Sequence, residues 1–197
     1  ESAAGSVRLG SNICGAQWGL GITHVLSSLG SAVHRIRGHG RPLRLELNYL
    51  VWLGFMFGWL VQFWWFEFKW SELEPQVGFL LFGFLVLYAV TLFLVTVILV
   101  PHHLAVVDDS WRYFLSIRPW FFGGVLLLNG IDLVDTFLKG MEWGTRSTYI
   151  VYISAVTVSA IIGLFTRRRS IIMAMGLLLL VWSNALTFYE QGVLGAW

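Results

Sequence analysis

The sequence predicts an all-α fold: a polytopic transmembrane helix bundle of about six spans joined by short loops. Three observations lead there. Hydrophobic residues make up 57% of the chain and charged residues 12%, about half the roughly 25% charged content of a soluble domain. Mean hydropathy is +0.72. Five stretches are apolar over about 20 residues, enough to cross about 30 Å of hydrocarbon at about 1.5 Å per residue.

Residues 1–12 read as an N-terminal tail and residues 13–197 as a single transmembrane domain. The first segment, 13–33, is the most polar, with Gln17, His24 and several Ser and Gly. It reads as a span, with a re-entrant or interfacial helix as the alternative. The five clear spans are 45–66, 77–100, 120–138, 148–165 and 170–189. Stretches such as "VLYAVTLFLVTVILV" have strand propensity. In lipid, however, only a helix satisfies its own backbone within one segment.

Basic residues set the orientation. Loops 34–44, 101–119 and 166–170 carry nine arginines, against Lys69, Lys139 and Arg146 in the opposite loops. An excess of Arg and Lys marks the cytoplasmic side, so these three loops are predicted to be cytoplasmic and the C-terminus outside. Aromatic residues support the same frame. In "GWLVQFWWFEFKW", Trp64, Trp65 and Trp70 fall where a span meets the headgroups, and Glu67 and Lys69 follow as the first polar-zone residues. Trp111, Trp120 and Phe121 form the predicted inner counterpart, and Trp143 an outer one. Indole rings suit that boundary because they pair an apolar body with one N–H donor.

Small residues recur every fourth position. Ser11, Gly15, Gly19, Thr23, Ser27 and Ser31 do so in the first segment, Gly54 and Gly58 in the second, and Ala155, Ser159 and Gly163 in the fifth. That spacing lets helices approach closely. It serves packing within the chain or against another chain.

The most informative polar run is "LLLNGIDLVDTFLKG". Asn129, Asp132 and Thr136 are spaced i, i+3 and i, i+4, and Asp135 lies about 60° from Asp132 around the helix. An acid at membrane depth faces the bundle or a wet cavity, and Asp135 can pair with Lys139 four residues on. Gln17, Gln62 and Asn184 fall at similar depth on other segments. Together with Asn129, Asp132 and Asp135 they are candidates for a polar pocket in which Asp132 binds a cation or exchanges a proton. An interhelical hydrogen-bond cluster is the structural alternative.

The histidines offer little. His24 is the one histidine at mid-membrane depth, and His102 and His103 beside Pro101 read as a helix end. These three are the metal or haem candidates, since haem needs axial ligands from facing helices. No cofactor is specified. There is one cysteine, Cys14, so no intrachain disulfide can form. No HExxH, P-loop, GxSxG or paired zinc-type cysteine motif occurs, and a net charge of +2 gives no basis for a nucleic-acid partner.

The stretches "YFLSIRPWFF", "DLVDTFLKG" and "GLGITHVLSSL" resemble uncharacterised multi-pass membrane proteins of bacteria. The resemblance implies a bacterial inner-membrane location and brings no activity. The expected partners are therefore the lipid bilayer and other membrane proteins or further copies of the chain. Three functional expectations follow. The first is a non-catalytic subunit packed against partners in a membrane complex. The second is a cation, proton or small-solute channel or transporter centred on Asp132. The third is a haem- or pigment-binding membrane protein.

Overall fold

The computed structural model describes residues 47–73, 78–99 and 109–194. The segment 13–33 with Gly15, Gln17, Gly19, His24 and Ser27, the loop 34–44, and His102 and His103 lie outside the described residues, as do the side chains of Lys69 and Trp70. Among the described residues there are six helices: α1 (Leu47–Leu73), α2 (Phe79–Leu99), α3 (Ser110–Lys139), α4 (Met141–Gly144), α5 (Ser147–Phe165) and α6 (Arg169–Leu194). All but α4 are long and apolar enough to cross a membrane. The protein is an all-α, multi-pass membrane bundle.

Each spanning helix is apolar on its outer as well as its inner face. Leu87, Leu127, Val158 and Val181 are exposed, while Leu92, Val125, Val156 and Leu179 are buried. A helix that is hydrophobic all round suits a lipid solvent.

Hydrogen bonds between helix ends fix their directions. Tyr49 and Tyr113, near the starts of α1 and α3, donate their hydroxyls to the Leu99 carbonyl at 3.1 Å and the Ile98 carbonyl at 2.8 Å. Arg118 donates to the Thr166 carbonyl just past α5, and Asn48 to the Arg169 carbonyl at 3.3 Å. The starts of α1, α3 and α6 and the ends of α2 and α5 therefore lie together, at what is here termed the arginine end. At Ile98, Leu99 and Thr166 the acceptors are carbonyls at or past a helix C-terminus, which have no partner within their own helices, a need that is acute where water is scarce.

One boundary differs from the sequence expectation. Residues 110–119 are helical rather than loop, so α3 runs for 30 residues, and Arg112 and Arg118 sit on its first turns. Asp109 is the reason. It is extended (φ −137°) and its carboxylate accepts from the backbone N–H groups of Trp111 and Arg112, as an N-cap does. Pro119 lies inside the helix without ending it.

The core of the arginine half is aromatic. Trp52 is fully buried and meets Phe55, Phe121 and Phe122 edge-on, at ring-centroid distances of 5.7, 5.5 and 5.0 Å. This corrects the placement of Phe121 in an interfacial belt. Trp120 is 75% exposed beside it and suits that role, as do the exposed Trp64 and Trp65 at the opposite end.

The small residues are used within the chain. A Cβ on Gly163 would lie 2.5 Å from the Phe122 ring, and one on Gly124 2.5 Å from Val95. Gly54 and Gly58 face Leu180 and Asn184 of α6 with ordinary clearance, at 3.7 and 3.6 Å. Ser159 is buried on α5. Gly163 and Gly54 should therefore respond differently to alanine. Phe122 cannot yield, because Trp52, Phe114 and Phe121 surround it. Gly163→Ala should lose about 1–3 kcal/mol to overpacking. Gly54→Ala should be neutral, or gain up to about 1 kcal/mol from helix propensity. Thermal unfolding of the two variants in detergent checks this, and equal melting temperatures would contradict the packing described.

Candidate functional site: a charged aromatic cavity

At the end opposite the arginines, the five spanning helices surround a cavity of about 140 Å³. Helical spacing explains which side chains reach it. On α1, Trp59, Gln62, Phe63 and Glu67 recur at three to four residues and line the cavity, and so do Asp132, Asp135, Thr136 and Lys139 on α3. Residues at these intervals share one helix face. Tyr88 enters from α2, Tyr149 and Tyr152 from α5, and Ser183 and Thr187 from α6.

Asp132 sits at the inner part of this site. Its two carboxylate oxygens accept from the Tyr88 hydroxyl at 2.8 Å and the Tyr149 hydroxyl at 3.1 Å. The Tyr88 oxygen in turn accepts from the Trp59 indole N–H at 3.4 Å, and the Phe63 ring stands edge-on to Tyr88 with centroids 4.4 Å apart. Three helices thus hold one carboxylate in a fixed orientation. Among the described residues, no ion pair joins Asp132 to a cation.

Two turns along α3, the Lys139 ammonium contacts Glu67 Oε1 at 3.0 Å and Asp135 Oδ2. The contact with Glu67 spans 72 residues of sequence and ties α3 to α1. Among the described residues, Glu67 Oε2 and Gln62 Nε2 are buried without a hydrogen-bond partner.

The turn after Lys139 shapes the rim. Gly140 has φ +140°, a conformation that a residue with a Cβ rarely adopts. A Cβ on Gly144 would approach Phe137 to 2.7 Å. This tight corner brings Trp143 and Arg146 over the cavity, with the guanidinium 3.9 Å from the Trp143 ring centroid, a cation–π arrangement.

Of the predicted pocket residues, Gln62, Asp132 and Asp135 line the cavity. Asn129 and Asn184 do not. Asn129 donates to the Ile153 carbonyl and the Thr157 hydroxyl at 3.2 and 2.6 Å, joining α3 to α5. It lies about 60° around the axis from Asp132, enough to turn it to a different neighbour. Asn184 donates to Leu180 of its own helix at 2.7 Å. Glu67, predicted to mark the polar zone, is instead paired inside the bundle. Sequence reasoning missed Tyr88, Tyr149 and Tyr152. The available signal was that Tyr88 is the only tyrosine in its span.

Among the described residues, no group of three or more His, Cys, Asp and Glu side chains could hold a metal ion. Comparison with family models, with curated proteins and with solved structures gave no match.

Proposed function

We propose that the protein is a membrane carrier for a small solute, with the cavity around Asp132 as its binding site. One observation supports this above all: five helices direct ionisable and hydroxyl side chains into one cavity within an otherwise apolar bundle. Such groups are costly at membrane depth and mark solute or ion pathways. The aromatic packing of the arginine half closes the other end, which favours a carrier with one open side over a continuous channel. Under the positive-inside rule, Arg112, Arg118 and the arginines at 167–169 lie in the cytoplasm. The cavity then faces the outside of a bacterial inner membrane. The small-residue positions Gly54, Gly58 and Gly163 make contacts within the chain, so they no longer favour the reading as a subunit docked on partners.

The test is uptake into proteoliposomes from a panel of labelled amines, amino acids, sugars and carboxylates. At least one class should enter. Asp132→Asn, which keeps the shape but removes the charge, should reduce that uptake about tenfold or more, since a lost charged hydrogen-bond acceptor costs about 1.5–3 kcal/mol. No uptake of any class would refute the carrier. Full uptake by a well-folded Asp132→Asn protein would refute the site.

A further inference from the structure

Resting on the carrier reading, we infer that the solute is an organic ammonium ion with a small apolar body, and that Lys139 occupies the place of its head group. Charge comes first. Glu67, Asp132 and Asp135 line the cavity against Lys139, while Arg146 sits at the rim over Trp143. Asp132 has no cationic partner among the described residues, and Glu67 Oε2 is unpartnered. With three carboxylates against two cations, the cavity disfavours an incoming anion. An incoming cation would be drawn inward by Asp132 and could pair with the Glu67 oxygen that has no hydrogen-bond partner among the described residues, in competition with Lys139.

The walls then choose between kinds of cation. A hard metal ion requires about six or more converging oxygen ligands. Among the described residues no group of three or more acidic side chains converges to hold one, whereas the rings of Trp59, Phe63, Tyr88 and Tyr152 line the cavity beside its carboxylates and hydroxyls. Aromatic faces attract ammonium ions on organic bodies. A cavity of about 140 Å³ is close to the roughly 150 Å³ that admits a benzene ring. Lys139 itself shows the site accepting such a group. It is a primary ammonium on an alkyl chain, held 3.0 Å from Glu67 and against Asp135, so a free alkylammonium would compete with it for the same oxygens.

The experiment uses the full chain in detergent with benzylammonium, benzyl alcohol, benzoate and sodium chloride as probes. Binding is read by quenching of tryptophan fluorescence and by thermal shift. Benzylammonium should bind about tenfold or more tighter than benzyl alcohol, a gap of about 1.4 kcal/mol, and benzoate and sodium should not bind. Lys139→Met should bind benzylammonium more tightly than wild type and regain lost thermal stability when it is added. Glu67→Gln keeps Lys139 paired with Asp135 and should fold, yet bind benzylammonium about tenfold more weakly. If Lys139→Met does not fold, Glu67→Gln alone decides. Benzyl alcohol or benzoate binding as well as benzylammonium would overturn the ammonium assignment, as would unchanged affinity in Glu67→Gln or no binding of any probe. Solute uptake that depends on Asp132 would still stand in each case and keep the carrier reading intact.

Discussion

Lys139→Met should lower the stability of the protein by about 3–5 kcal/mol, the cost typical of removing one partner from a buried ion pair. The Lys139, Asp135 and Glu67 side chains are 9%, 4% and 15% exposed. Without the ammonium, two carboxylates on α1 and α3 remain close together, out of water and uncompensated. In a chain of this size the loss corresponds to a fall in melting temperature of about 10 °C. The ion pair between Arg112 and Asp109 provides the contrast. It spans 3.8 Å, with side chains 88% and 38% exposed, and exposed pairs contribute about 0–1 kcal/mol. Arg112→Ala should therefore be nearly silent. Combining Lys139→Met with Glu67→Gln and Asp135→Asn should recover most of the loss, because neutralising a whole buried charged cluster costs far less than orphaning part of it. Circular dichroism during heating in detergent measures all three. A single Lys139→Met variant that melts with wild type would mean the three groups are solvated rather than buried.

The same cluster has a place in the architecture. The most extensive helix packing is α1 on α6, and α3 on α5 and on α2, so the bundle divides into an α1–α6 layer and an α2–α3–α5 layer. The cavity lies at the seam, and the Lys139–Glu67 contact crosses it. At the other end of the seam, Trp52 of α1 is wedged between Phe121 and Phe122 of α3. In the proposed carrier, a solute that replaced Lys139 at Glu67 would act on a bond between the two layers.

Much of the membrane architecture was legible in the sequence, because length and apolarity alone decide which segments span. Helix rotation was not. In a soluble protein the apolar stripe reports which face is buried. Here both faces are apolar, and only polar residues carry that information. Asp132 and Gln62 line the cavity, because a charge or an amide at depth has few tolerable directions. Asn129 does not, because a second set of acceptors on α5 lies within reach. On α2 the hydroxyls of Thr91 and Thr96 are bound to their own helix, at Leu87 and Leu92. That leaves Tyr88 as the residue facing Asp132, and the local signal for it was its place in the middle of Phe79–Leu99, away from either interface. The start of α3 was misplaced because arginines and a proline resemble a loop, whereas the Asp109 cap determines the helix.

Trp52→Ala should be the second large effect, about 3 kcal/mol of destabilisation, with its origin in packing. For a soluble core, part of such a loss is the transfer of apolar surface to water. In a bilayer the separated helices are already solvated by lipid chains as apolar as the core, so the transfer contribution shrinks and the unfilled space dominates. That space cannot collapse easily, since Phe55, Phe121 and Phe122 are themselves fully buried around it. Trp52→Phe should lose about 1 kcal/mol, because it keeps a ring and removes an indole N–H that has no hydrogen-bond partner among the described residues. Titration of the folded variants with a denaturing detergent measures the difference. The two variants also test what closes the arginine half. A void lined by phenylalanine rings stays dry, so Trp52→Ala proteoliposomes should hold a proton gradient as well as wild type while their stability falls. A proton leak specific to Trp52→Ala would show that water reaches the void from the Asp132 cavity, and that Trp52 itself, rather than the surrounding aromatic cluster, is the barrier.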